Sequence, residues 1–283
     1  MMINSSGIKS LFFLLLSFPG FALFCQAQEE WPDFMEQFPD YLEISLQVQN
    51  ETGDILFQQH SDKSIPSASI IKIPILIALM EKVENEAVNL DSLYTLQASD
   101  KVGGAGEMQH LPEGSRLTFR YLAEEMIRIS DNTATNILIR TIGMDYIQQW
   151  LSKHGYKATQ LNRFMMDFKA IEAGRQNYTS SKEINEILLN LWNGAWLKEA
   201  SKEEIMHWLK GCADNSTIPS RLPTDTIVAH KTGTLDYVRG DAGLILGDKP
   251  LILSVFVENF QSMEEAEAAI GKITLKAYTD FGR

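Results

Sequence analysis

Tyr41-Leu42-Glu43-Ile44-Ser45-Leu46-Gln47-Val48-Gln49-Asn50 places Leu42, Ile44, Leu46 and Val48 on one face of an extended segment. A period of two is the signature of a half-buried β-strand. Glu51-Thr52-Gly53-Asp54 follows as a turn signal and residues 55–59 read as a returning strand, so the segment predicts an antiparallel hairpin. Strand character returns only near the other end, in β-rich runs at 226–230, 242–246 and 251–257, and a helical pattern follows over 263–278. Between them, residues 69–87, 119–129, 132–142, 145–154, 182–192 and 203–209 carry helical periodicity bounded by Gly, Ser or Asp. Strands at both ends with helices between them put the two ends of the chain in one sheet. The predicted organisation is a sheet domain from 28–65 and 213–283, an inserted helical domain at 66–212, and a cleft where the layers meet.

The chain has 283 residues, 45% of them hydrophobic and 22% charged, which is globular composition with enough length to bury a sizeable core. Its formal charge of −12 disfavours nucleic acid, because a phosphate polymer needs a basic stripe that releases counterions. Residues 1–27 read as a secretory signal: Lys9 supplies positive charge, residues 11–24 are apolar apart from Ser17, Pro19 and Gly20, and Cys25-Gln26-Ala27 brings small residues to the cut. The run is too short to span a bilayer, so no stable membrane insertion is expected and the mature chain is expected in the periplasm. Phe24 disfavours a lipid anchor at Cys25. Removal of the leader leaves Cys212 without a disulfide partner, and it reads as a small buried residue. Any anionic substrate must then be held by a local cation working against the field of the whole chain.

Three short patterns carry chemistry. Ser69-Ile70-Ile71-Lys72 opens the buried helix and sets the lysine amine on the face of the serine hydroxyl. A serine needs an adjacent base, and a lysine can serve only if its pKa falls by burial or by a nearby cation. The ordinary alternative is that Ser69 caps the helix. Pro74, two residues on, costs up to about 3 kcal/mol if it is interior. Ser130-Asp131-Asn132 lies between two helices, where Asp131 reads as an N-cap; Ser130 could pass a proton and Asn132 hydrogen-bond an amide. Lys231-Thr232-Gly233-Thr234 ends a predicted strand, where Lys and Thr can bind a carboxylate and Gly admits a close approach.

Together and in this order the three patterns resemble those of the class A β-lactamases, serine hydrolases related to penicillin-binding proteins. Gly103-Gly104-Ala105-Gly106, Ile218-Pro219 and Leu222-Pro223 extend the resemblance over the mature length. It implies an α/β (α+β) fold with an antiparallel five-stranded sheet, N- and C-terminal helices flanking it, and an inserted all-helical domain. It also implies roles. Ser69 would be acylated by a β-lactam or acyl-peptide carbonyl, Lys72 would act as base or proton relay, and Ser130 would donate to the departing nitrogen. Asn132 would bind the acyl amide, Lys231, Thr232 and Thr234 the substrate carboxylate, and the N–H groups of Ser69 and Thr234 would form the oxyanion hole. Repulsion between Lys231 and Lys72 would lower the pKa of the latter. A monomer is expected, with no cofactor.

The chain departs from the family in one loop. Class A enzymes carry Arg-x-Glu-x-x-x-Asn, whose glutamate activates the deacylating water. Here Arg163-Phe164-Met165-Met166-Asp167-Phe168-Lys169 puts Met165 at the glutamate and Lys169 at the asparagine. A thioether is no general base. Either Asp167 or Glu172 moves in, Lys72 serves both steps, or the acyl-enzyme is long-lived. Asp167 can instead be structural, paired with Arg163 or Arg175, and Met165-Met166 can be core filler. Arg239 is a near match, out of alignment, to a second basic residue at the carboxylate site. His60, His110, His154, His207 and His230 fall in no metal-binding frame, so no metal is expected. The expected function is a serine β-lactamase; the alternatives are a D-alanyl peptidase or esterase with slow deacylation, and an acylated sensor that does not turn over.

Overall fold

Strand β1 (Glu43–Asn50) pairs antiparallel with β2 (Ile55–Gln59), Val48 facing Phe57. Asn50 builds the turn: its Oδ1 accepts from the backbone N–H groups of Thr52 and Asp54 at 3.1 and 2.8 Å. These coordinates come from a computed structural model that describes residues 30–282; the predicted leader at 1–27 lies outside the described residues. A short helix, α1, occupies residues 30–35.

Two two-stranded pieces, β3 (Ile65–Pro66) with β6 (Tyr178–Thr179) and β4 (Leu93–Thr95) with β5 (Arg116–Thr118), pin the helical region at its edges. Each is too short to show a period in sequence. The remaining strands are β7 (Ile227–Leu235), β8 (Val238–Leu246) and β9 (Leu251–Glu258). With β1 and β2 they form the expected five-stranded antiparallel sheet, in the order β2-β1-β9-β8-β7. The helices are α2 (Lys72–Glu84), α3 (Phe119–Arg128), α4 (Asn132–Ile142), α5 (Met144–Lys153), α6 (Phe168–Glu172), α7 (Ser181–Trp192), α8 (Glu199–Lys210) and α9 (Met263–Phe281).

Both faces of the sheet are covered. Ile44, Leu46 and Val48 join Leu253, Val255, Ile270 and Trp31 in a core beneath α1 and α9, where Trp31 stacks on Phe57 at 4.4 Å. The polar alternates Ser45, Gln47 and Gln49 are also buried, against the helical side, where Asn185 of α7 donates to the Gln47 carbonyl at 2.9 Å. The alternation of β1 therefore marks two buried environments. The second core centres on α2, whose residues 72–80 are all buried. A helix apolar on every side can only sit among other elements.

Three sequence expectations change. The helix begins at Lys72, and Ser69 belongs to a preceding 3₁₀ turn, Ala68–Ile71. Pro74 accordingly lies in the first turn of α2, where N–H groups lack intrahelical acceptors, and the penalty of an interior proline does not arise. Strand β7 continues through Lys231-Thr232-Gly233-Thr234, pairing Thr234 with Arg239 on β8. The polar run hides this continuation, because its order comes from the ladder rather than from side-chain alternation.

Candidate active site

The edge strand β7 lies against the turn that carries Ser69. A Cβ added to Gly233 would come within 3.1 Å of Ala68 Cβ, Ile70 Cγ1 and the Ser67 carbonyl, so glycine sets the spacing. Ala68, immediately before Ser69, has φ +47°, and Ser130 has φ +59°. Both are costly for residues with a Cβ, of order 1–3 kcal/mol each, and the surrounding packing holds them. Ser69 is half-buried, and among the described residues no hydrogen bond from its side chain is present, so it does not act as a helix cap.

Lys72 is completely buried and reaches across to the start of α4. Its Nζ donates to the Ser130 carbonyl at 2.7 Å, Ser130 Oγ at 3.0 Å and Asn132 Oδ1 at 3.0 Å. Burial pulls the Lys72 amine well below its ordinary pKa; the charge of Lys231 adds to this and Asp131 opposes it. The like-charge repulsion expected from sequence is present, but it is secondary to desolvation. An ammonium can donate to all three oxygens, whereas a neutral amine keeps two donors for the carbonyl oxygens and turns its lone pair to the Ser130 hydroxyl.

Asp131 caps α4, accepting from Ala134 N at 2.8 Å, and also accepts from Met108 N at 2.9 Å. Gly104 lies against the same turn: a Cβ there would meet Asn132 Nδ2 at 2.7 Å and Met166 Sδ at 2.9 Å. Lys231 is buried and its pKa is lowered, mainly by desolvation, although Cys212, Asp241 and Asp214 oppose the shift. Ser69, Ser130, Asn132, Lys231, Thr232 and Thr234 all line one cleft of about 550 Å³, and Lys72 bonds to two of them from below.

Arg239 lies behind the Thr234 end of the cleft, buried. Opposite Thr234 in the β7–β8 ladder, it donates to Thr234 Oγ1 at 2.6 Å, to Asp214 Oδ2 at 2.7 Å and to Ser216 Oγ at 2.7 Å. Asp214 is the one carboxylate among the described lining residues. Burial disfavours its charge, but hydrogen bonds from Ser216 and Arg239 outweigh this and hold its pKa far below the usual range.

The loop at 163–171 forms the opposite wall. Met165 is buried yet lines the cleft, and Asn136 clamps its backbone, accepting from Met165 N at 2.8 Å and donating to its carbonyl at 3.0 Å. Asn136 stands one turn after Asn132 on α4, a spacing visible in sequence but unassigned without the fold. Asp167 caps α6, accepting from Ala170 N at 2.9 Å, and makes no ion pair with Arg163 or Arg175. Glu172 and Lys169 are exposed and do not line the cleft.

Behind β7, His230 Nδ1 lies 2.9 Å from Asp241 Oδ2, and both groups are buried. Burial opposes the charge on His230, but Asp241 and then Cys212 outweigh it and push its pKa up to about 10. Cys212 is buried as expected, but it is not merely apolar filler: burial raises its pKa, and the bond to His230 more than offsets that. Asp241→Asn removes the counter-ion of the buried His230, which must then stay unpaired or give up its proton, and an expected loss of about 3–5 kcal/mol would appear in a urea unfolding midpoint. The His230 contribution to wild-type stability is complete below the unfolded pKa near 6.5 and is lost as pH rises through about 10. Unfolding titrations at pH 6 and pH 10 check the sign.

Among the described residues no three metal-ligating side chains gather, and no helix is long and apolar enough to cross a membrane. A model of the β-lactamase enzyme family matches residues 27–281. The chain is 24% identical to β-lactamase VEB-1 of Pseudomonas aeruginosa over 255 residues, 83% of this chain and 85% of that one. It is 28% identical to a β-lactamase of Streptomyces fradiae over 78% of this chain and 76% of the relative. Among solved structures, PBP-A superposes with a TM-score of 0.80 at 26% identity, covering 91% of this chain and 95% of that one; a PBP-A variant is also solved as an acyl-enzyme complex with penicillin G. With the serine turn, the buried lysine and the edge strand converging on one cleft, and with the family model spanning nearly every described residue, the chain belongs to the β-lactamase enzyme family.

Proposed function

We propose that this protein hydrolyses β-lactams through an acyl-enzyme on Ser69. The observation that carries the reading is the buried Lys72 amine, 3.0 Å from both Ser130 Oγ and Asn132 Oδ1 in the cleft that holds Ser69. Ser69 Oγ attacks the β-lactam carbonyl and its proton passes to the neutral Lys72 amine. Ser130 gives its proton to the departing ring nitrogen and is reprotonated from Lys72. The N–H groups of Ser69 and Thr234 hold the oxyanion, worth about 10²–10³ in rate per donor. Asn132 takes the acyl-side amide, and Lys231, Thr232 and Thr234 take the substrate carboxylate. Arg239 supports that end through Thr234 Oγ1, with Asp214, Ser216 and Glu267 fixing its guanidinium.

Water then releases the acyl group, and this step is slow. Met165 puts a thioether, not a carboxylate, at that point of the cleft wall, Asp167 is spent on capping α6, and Asp214 is held so acidic that it is a poor base. Lys72 is the base that remains. The same observation favours a second reading, a penicillin-binding serine peptidase whose β-lactam adduct persists; one variant of PBP-A, to which this chain is similar, is solved as an acyl-enzyme complex with penicillin G. The predicted leader places the mature protein in the periplasm, where either substrate is met.

An intact-mass time course of residues 28–283 with a small penicillin and a cephalosporin separates the readings. Drug consumed over repeated turnovers, with adduct that builds up on Ser69 during turnover and is lost once the drug is gone, is the expected result. A stoichiometric adduct that persists moves the assignment to cell-wall peptides, and inertness of Ser69 toward both drugs refutes acylation.

A further inference from the structure

Two arginines line the cleft, and they are held differently. Arg128 is gripped by the Glu125 carboxylate at 2.6 and 2.7 Å. Arg163 is 7% exposed and has only neutral acceptors: Nε donates to Gln176 Oε1 at 2.8 Å and Nη1 to the Phe164 carbonyl at 2.9 Å. Among the described residues no carboxylate lies within ion-pair distance of it. Its Nη2 has no protein partner and is not sealed away from solvent. Burial lowers its pKa, while Tyr237 and Asp167 favour its charge from farther off.

A buried cation without a counter-ion is expensive to keep, and it attracts an anion strongly where the wall beside it excludes water. That wall is apolar: Met165, Met166, Phe168 and Ile171 line the cleft with Arg163, and Phe168 is 61% exposed. Met166 lies beside Gly104 and Asn132, so this wall is on the acyl side of the site, away from Arg239 and Asp214.

We propose that Arg163 is a specificity-determining residue that binds a second carboxylate, carried on the acyl part of the substrate. The inference rests on the acylation reading and names its substrate class: a dianion, with one carboxylate at Lys231 and another at Arg163, bridged by an apolar spacer along Phe168 and Ile171. A β-lactam with a carboxylated side chain and an acyl-D-alanyl-D-alanine peptide with an acidic residue share this chemistry.

The test compares Ser69 acylation by a phenylacetyl penicillin and by its α-carboxyphenylacetyl counterpart, and by an acidic acyl-D-alanyl-D-alanine peptide and its side-chain amide. Wild type is expected to prefer the carboxylated member of at least one pair about tenfold. The pair in which the preference appears identifies the source. In Arg163→Gln the ratio falls toward one, and Arg163→Lys retains part of it. No preference in wild type, a ratio unchanged in Arg163→Gln, or an equal fall for both members of a pair overturns the assignment. Calorimetric binding of the same compounds to Ser69→Ala reads the preference without chemistry, so an inert Ser69 sinks the acylation reading while the Arg163 preference is still measured.

Discussion

Met165→Glu is expected to shorten the life of the Ser69 acyl-enzyme by about 10²- to 10⁴-fold, the usual range for a positioned general base. Position 165 is prepared for it. The backbone is bonded to Asn136 through both its N–H and its carbonyl, so a new side chain departs from a fixed point on the cleft wall. The thioether there now presents no lone pair basic enough to activate water. The gain is capped by the exposure of Lys169, which leaves the new carboxylate without the family's usual asparagine. Adduct decay followed by intact mass, together with drug consumed per protein, measures the effect. An unchanged decay rate would mean that a carboxylate at 165 cannot hold the attacking water.

Lys72→Met is expected to lower acylation by about 10²- to 10⁴-fold while leaving a side chain of similar length in a fully buried position. The wild-type pH profile follows from the lowered lysine pKa: the neutral amine is the base, so acylation falls as pH falls through that pKa and Lys72 becomes protonated. Stability has the same sign. Between the folded pKa and the ordinary value near 10.4, the unfolded chain binds the proton and the folded one does not, so Lys72 makes stability rise with pH over that window. Lys72→Met removes this slope and raises stability at neutral pH, because no lysine need be desolvated. A pH series of acylation rates and urea midpoints on both proteins checks the two signs together. Retained acylation in Lys72→Met would transfer the base to another group.

Much of the molecule was legible before any coordinates. The alternation at 41–50, the turn at 51–54 and the apolar helix after Ser69 each report a local period and a local stop signal, and each follows from the sequence because neighbours along the chain decide it. The three chemical patterns are equally local, as is the substitution of methionine at 165. Asp131 was readable as a cap for the same reason, since its acceptor role concerns an N–H only three residues on.

What the sequence could not carry is every relation between distant segments. Gln47 and Ser45 look solvent-facing, and only the covering helices bury them. The polar Lys231-Thr232-Gly233-Thr234 run looks like a strand end until β8 pairs with it and sets Arg239 opposite Thr234. Lys72 loses its proton readily mainly because the fold removes water from around it, a property of the packed interior that no spacing encodes. The sequence offered Asp167 as a base or as the ion-pair partner of Arg163 or Arg175; the packed loop made it a cap and left Arg163 lining the cleft without a carboxylate. Residue type and local period determined the elements and the chemical vocabulary. Strand register, burial and the distances across the cleft, which arise only when separate elements exclude water from one another, decided which groups meet.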